Sequence, residues 1–355
     1  MLPYLLLLII TTFLCFLGAL YEETETDSCY RNNTKIILFI IVLILTIFAG
    51  FRFEVGVDYN NYVSIFKKNR WTSTNEPGFM LIVNFFSYIK AKPQLIFLFL
   101  ALIMQLLVYR IILKFSVNPW LSILIYLTIA PFYLASFNGV RQFLAIALFI
   151  NLIDLIRNKK LLLFLICIGL GVFFFHLSLF IIIPVYFILQ INFTLKKRLL
   201  VTLLVIVGSF FINYLISLSP YGQYLNFTKT TPISVGTYIF FLMSISLILF
   251  EKKISEFKYK KVYLNINFLS FLTLLLVFLQ DKGIMIQMFM RLNSYFFFVY
   301  ILLIPVLVSQ FKKQIIRVSL IVLLSIVLLS YYLRTILIKG EEYKLIPYKL
   351  NFELF

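Results

Sequence analysis

The sequence predicts an all-α, polytopic integral membrane protein, and three observations carry that expectation. Of its 355 residues, 62% are hydrophobic and 13% charged, against about 45–50% and 25% in soluble domains. Mean hydropathy is +1.01. Apolar runs suited to crossing a ~30 Å hydrocarbon core recur along the chain, without the alternating ten-residue pattern of a barrel.

Taken in order, the candidate spans are 2–20, 36–51, 94–113, 120–137, 140–156, 161–175, 177–190, 199–217, 236–250, 262–280, 289–310 and 315–333. That makes roughly twelve helices of the ~20-residue class, several of them short. The first run starts at Leu2 with no positive n-region and no convincing cleavage site, so it reads as a retained helix. Charge runs, Pro119, Gly139 and Pro232 mark the breaks. Glu76-Pro77-Gly78-Phe79 opens an apolar stretch that ends at Ile89, too short to span. It is expected to lie at the interface as a half-helix with Pro77 in its first turn. The chain reads as one transmembrane domain, 1–355, with an outer loop at about 52–93 and an outer tail at 334–355.

A net charge of +18 would suggest nucleic acid in a soluble protein. In a membrane protein most short-loop cations serve to orient helices, so no nucleic-acid partner is expected. The compact basic loops are Arg157-Asn158-Lys159-Lys160, Lys196-Lys197-Arg198, the five-lysine loop 251–261 and 312–317. All should face the cytoplasm. An even number of crossings must then separate Lys160 from Lys196, in a stretch too short for two full spans. A tight hairpin of short or re-entrant helices, with His176 near its outer tip, meets that constraint. Alternation places 52–93, 137–141, 219–235, 281–288 and the tail on the outer side. The acidic loop 21–35 falls inside, a weaker fit to the charge rule, although acidic residues contribute little to it. The three cysteines, Cys15, Cys29 and Cys167, form neither a disulfide framework nor a zinc spacing.

The ionisable and amide side chains of interest therefore gather on one face. Arg141, beside Asn138, Gly139 and Gln142, stands at the mouth of an apolar helix, a costly place for a cation unless it binds something. Arg291 heads a later apolar run, followed by Tyr295. Two guanidiniums on one face suit a diphosphate, whereas snorkelling to lipid headgroups is the ordinary alternative. The segment from Arg52 to Tyr62 carries Arg52, a candidate anion or carboxylate partner, Asp58, a candidate general base, and the rings of Tyr59 and Tyr62. An interfacial aromatic belt would contain the same tyrosines. Glu76 either caps the half-helix or helps line a site. His176, the single histidine, is by default a satisfied buried side chain, and at a hairpin tip it is also placed to act as base or donor. No HExxH, GxSxG, P-loop or Rossmann fingerprint appears, and no metal site or cofactor is expected. Asp154, the acid deepest in an apolar run, lies near Arg157 and is expected to be neutralised by it.

Taken as an ordered set, these residues resemble the EpsG/Wzy family of bacterial polysaccharide polymerases. The features are Arg52…Val55-Gly56-Val57-Asp58-Tyr59…Tyr62, Glu76-Pro77-Gly78-Phe79, Asn138-Gly139-Val140-Arg141-Gln142, Phe175-His176-Leu177-Ser178, Arg291-Leu292-Asn293-Ser294-Tyr295 and Ile346-Pro347-Tyr348-Lys349. Val57 departs from the pattern, where Thr is more usual. The resemblance implies a glycosyltransferase that joins polyprenyl-diphosphate-linked oligosaccharide units at the outer face of the bacterial cytoplasmic membrane. It implies no nucleotide sugar, with a chain-length regulator and a flippase as candidate partners beside the bilayer itself. Under it, Arg141, Arg291 and Arg52 would bind diphosphate, and His176 or Asp58 would take the acceptor's proton. Asn138, Gln142, Tyr59, Tyr62, Glu76 and Tyr295 would meet substrate. The rival readings are a lipid-linked oligosaccharide flippase or exporter, a ligase-type glycosyltransferase that shares the diphosphate site, and a sugar acyltransferase. A transporter would more typically place ionisable residues at the midplane.

Overall fold

The structure is a computed structural model and describes residues 1–24, 27–68, 77–217, 233–280 and 283–354. Helices α1 (Leu2–Thr24) and α2 (Asp27–Gly50) lead into a short strand, β1 (Arg52–Phe53). Then follow α3 (Tyr59–Lys68), α4 (Pro77–Tyr88), α5 (Pro93–Phe115), α6 (Pro119–Thr128) and α7 (Val140–Asn151). Next come α8 (Ile153–Arg157), α9 (Leu161–Phe174), α10 (Ile182–Ile188), α11 (Leu195–Ser217) and α12 (Val235–Leu249). The chain closes with α13 (Lys260–Phe278), α14 (Gly283–Phe297), α15 (Tyr300–Ser309), α16 (Gln314–Lys339) and β2 (Lys349–Leu350).

Contacts divide the chain into two compact units. The first holds Met1–Leu152, Leu162–Ile182 and Ile301–Phe355, and the second Ile153–Leu161 and Ile183–Tyr300. The all-α membrane class is confirmed. Among the described residues, five helices are long and apolar enough to cross a membrane: α1, α2, α5, α13 and α16, the α2 window being Asn32–Gly50. A sixth span arises if α14 and α15 count as one broken segment.

The shortfall from twelve has local causes. The expected span 120–137 ends at Thr128, because Pro131 has no N–H to give and restrains Ala130 before it. The chain passes instead into turns and a 3-10 turn, Ala135–Phe137, before α7 begins. The span expected at 140–156 breaks at Leu152. Helix α9 has 14 residues, too few for a full crossing, as a tight hairpin requires. The half-helix opened by Pro77 is present as α4, 12 residues long.

In the first unit α2 and α5 are antiparallel. Gly50 lies against Leu98 at one end, and the Tyr109 hydroxyl donates to the Lys35 carbonyl (3.2 Å) at the other. Helix α7 runs parallel to α5. At their shared C-terminal end, Asn151 donates to the Leu107 carbonyl (3.1 Å) and accepts from Arg110 Nη1 (2.7 Å). The opposite end collects the close of α2 and the starts of α5 and α7.

The second unit packs α12 and α14 on α13, with α11 also on α13. Its buried polar side chains bond to one another. Tyr300 donates to Asn267 (2.8 Å), Asn267 to the Ser244 carbonyl (3.2 Å), and Ser270 and Thr273 to Asn293 (2.8 and 2.9 Å). Such bonds join apolar helices where burial alone gives little preference between lipid and protein. The basic loops 157–160 and 251–261 meet at one end of this unit. Arg157 Nε donates to the Lys258 carbonyl (3.0 Å), Tyr259 to Asp154 (2.7 Å), and Lys261 to the Gln190 carbonyl.

Candidate functional site

The polar end of the first unit is organised around Arg52. The residue is 2% exposed, and its guanidinium lies over the rings of Phe97 (5.1 Å) and Phe137 (4.7 Å). It donates to three backbone carbonyls, Ala49 (2.9 Å), Val55 (3.2 Å) and Phe137 (3.1 Å). A planar fork that reaches three carbonyls and two aromatic faces at once is suited to arginine and not to lysine. Burial lowers the Arg52 pKa from the ordinary arginine value, but the group remains cationic at any physiological pH. These bonds tie the end of α2, the loop after it and the turn before α7 into one piece. A small crevice lies beside Arg52, lined in part by Leu100, Met104, Gln105 and Val140.

The loop is fastened to that turn a second time. Asn138 Oδ1 accepts the Val57 N–H (2.6 Å). Gly56, at φ 99°, is the left-handed residue that brings the two strands of chain together. A Cβ there would stand 2.9 Å from Asn138 Oδ1 and 3.0 Å from the Phe137 carbonyl, so a side chain is excluded on both counts. Asn138 therefore bonds the loop backbone, a positioning role that precedes any contact with substrate.

Arg141 follows in the first turn of α7. Its Nε donates to the Tyr62 hydroxyl (3.3 Å), and its guanidinium lies over Phe79 (4.9 Å) and near the Tyr62 ring (5.9 Å). Tyr62 comes from α3, one turn after Asp58, whose carbonyl accepts the Tyr62 N–H (3.1 Å). Phe79 comes from the first turn of α4. Its neighbour Gly78 lies against the end of α9, where a Cβ would come within 2.5 Å of the Phe173 carbonyl oxygen. That approach brings the His176 turn alongside, and the 3-10 turn Leu177–Ile181 itself packs on α7.

His176 is half-buried and caps this 3-10 turn. Its Nδ1 accepts the Ser178 N–H (3.1 Å) and is 2.7 Å from the Ser178 hydroxyl. An Nδ1 that accepts a backbone N–H carries no proton, which puts the ring proton of the neutral form on Nε2. The geometry makes His176 a donor through Nε2 rather than a base at Nδ1.

Arg52, Asp58, Tyr62, Asn138, Arg141, Gln142 and His176 thus belong to one unit, with Asp58 and Gln142 half-buried. Tyr59 is there too, but its ring is 4% exposed, stacked 4.8 Å from Phe97, and its hydroxyl donates to Gln94 (3.1 Å). Arg291 and Tyr295 lie in the second unit. Helix α14 begins at Gly283, so Arg291 is an exposed mid-helix residue and does not head the helix. Tyr295 is 1% exposed. Glu76 lies outside the described residues. Three positions that the sequence did not single out as site residues also build the site. Gln94 bonds the Arg52 and Gly50 carbonyls from the first turn of α5, Phe79 supplies the face under Arg141, and Pro131 breaks the helix. A polar residue next to Pro93 at the head of an apolar run was the available signal for Gln94. Among the described residues no three metal-ligating side chains gather.

A family model, that of the EpsG family, matches residues 35–350. The chain belongs to the EpsG family. EpsG-like proteins are Wzy-type polysaccharide polymerases, which makes this chain a multi-pass, glycosyltransferase-like polysaccharide polymerase at the level the family defines. Searches of curated proteins and of solved structures gave no match. The EpsG match spans the Arg52 loop, the Arg141 turn, the His176 cap and the strand that pairs with Arg52.

Proposed function

We propose that the chain polymerises polyprenyl-diphosphate-linked oligosaccharide units, and that the Arg141 end of the first unit, at the outer face of the cytoplasmic membrane, is where the bond forms. The observation that carries this reading is the placement of Arg141. A fixed cation stands in the first turn of a helix that follows a broken span, steadied by Tyr62 and Phe79, with an acid and an imidazole donor brought to the same end.

In the proposed step an acceptor-sugar hydroxyl attacks the anomeric carbon of the growing chain. The new glycosidic C–O bond forms, the bond to the diphosphate oxygen breaks, and the electron pair leaves on the lipid diphosphate. Arg141 stabilises the negative charge that grows on that leaving group, and the Nε2–H of His176 is suited to donate to a phosphate oxygen. Asp58 receives the hydroxyl proton, because Nδ1 of His176 is engaged as a cap. Arg52 acts from behind by holding the loop and the turn in register.

The test uses a strain deleted for this chain and complemented with wild type, Arg141→Lys or Arg141→Ala, with surface polysaccharide resolved on a gel. Loss of one charge-stabilising donor costs about 10²–10³ in rate. Both variants should collapse the ladder to a single repeat unit, since a point charge does not replace the fork. A wild-type ladder from Arg141→Lys overturns the bidentate role. Lipid-linked units trapped inside the cell, with none at the surface, would replace the polymerase reading with transport.

A further inference from the structure

The basic end of the second unit contains an arginine that loop charge alone does not explain. Arg198, in the first turn of α11, is 3% exposed. One nitrogen, Nη2, meets Glu251 at 2.6 Å, and the guanidinium lies 5.3 Å over the Phe268 ring. Its Nε and Nη1 are buried without an acceptor. A cation that serves only to orient a helix has no need of burial, and two unsatisfied charged donors inside an apolar packing are costly.

The surroundings indicate what would satisfy them. Lys196 and Lys197 are exposed on the same turn, and Lys252 and Lys253 are exposed beside Glu251. The acids of this end are already engaged: Glu251 with Arg198, Glu256 with Lys260 (2.8 Å), and Asp154 with the Tyr259 hydroxyl. The result is a cationic concentration around a buried guanidinium. Immediately along α11 stands an apolar wall, with Leu199, Leu200, Leu203 and Leu204 each 57–62% exposed. Cations at the end of the helix and bare leucines along its exposed face match a molecule with an anionic head and apolar chains. An acidic soluble protein has no use for the leucines.

We propose that Arg198 and the lysines around it form a binding site for the phosphate of an anionic phospholipid headgroup, with the acyl chains against the leucines of α11. Basic pockets next to apolar helices recognise such headgroups through the same combination of charge and hydrogen bonding. The site is separate from the polymerisation chemistry and does not depend on it.

The test places the full chain in phosphatidylcholine nanodiscs with and without phosphatidylglycerol and counts co-retained lipids by native mass spectrometry. Wild type should hold phosphatidylglycerol against excess phosphatidylcholine. The Lys252→Gln/Lys253→Gln double variant, altered at exposed positions, should retain it about fivefold less per cation removed, with an unchanged melting temperature. Arg198→Gln should abolish the preference, and Glu251→Gln should strengthen it by removing the competing carboxylate. Equal retention of the two lipids by wild type, or no change in Glu251→Gln and the lysine variant, overturns the site. So does stabilisation by inorganic phosphate alone with no response to phosphatidylglycerol, which would make the ligand a free anion.

Discussion

His176 shows how one residue holds two jobs that a substitution can separate. Nδ1 caps the 3-10 turn, which leaves the ring proton on Nε2 for the proposed chemistry. Loss of a capping acceptor costs about 1 kcal/mol. His176→Ala should therefore lower the thermal midpoint in detergent and shorten the polysaccharide ladder. His176→Asn retains a side-chain oxygen for the Ser178 N–H but has no imidazole. It should melt close to wild type and still fail to build the ladder. Full activity in His176→Asn would reduce the residue to a cap. The candidate status of His176 was readable from its being the single histidine in an apolar hairpin. Its tautomer was not, because that depends on a serine two residues away adopting a 3-10 turn.

At the scale of the element, the C-terminal segment acts as a clasp on the Arg52 loop. Strands β1 and β2 pair antiparallel, Arg52 with Leu350 and Phe53 with Lys349. The Asn351 N–H reaches the Phe51 carbonyl (2.9 Å), and the Gly56 N–H reaches the Lys344 carbonyl (2.8 Å). Glu54 and Lys344 both adopt left-handed backbone (φ 57° and 50°), a conformation that persists when surrounding structure enforces it. The Tyr348 ring stacks on Phe48 (4.1 Å) and meets Tyr4 edge-on (5.3 Å), and its hydroxyl donates to the Phe48 carbonyl. Ring packing should outweigh the ion pair. Tyr348→Ala should destabilise by about 2–3 kcal/mol. Lys349→Ala, which breaks a pair with Glu54 that is about half exposed on each side, should cost about 0–1 kcal/mol. Chemical or thermal unfolding of the two variants decides the order, and the reverse ranking would remove the clasp from the account. The tail stood out in the sequence as Ile346-Pro347-Tyr348-Lys349, but its partner did not. Register between segments some 300 residues apart (Tyr348 to Phe48) is set by tertiary packing, which no local pattern encodes.

For the whole molecule, composition was sufficient for class, since 62% hydrophobic residues leave no soluble alternative. Composition was insufficient for span count. Hydropathy registers the apolar run through Pro131 as continuous, while the backbone breaks there to present Asn138, Gly139 and Arg141. Such breaks are tolerated where irregular backbone is buried in protein, so the feature that misleads the count is the one that makes the site. Sidedness then becomes the decisive global property. Helix α5, 23 residues long, rises about 34 Å at 1.5 Å per residue, enough to cross a ~30 Å core. Lys92 stands at its start with the Arg52 loop and Lys114 at its far end with Arg110, both exposed. In a chain whose native cysteines are replaced, Lys92→Cys should react with a membrane-impermeant maleimide on intact cells. Lys114→Cys should react only after permeabilisation. The opposite pattern would put Arg141 in the cytoplasm, away from exported lipid-linked units, and the polymerisation step proposed here would have no substrate on its side of the membrane.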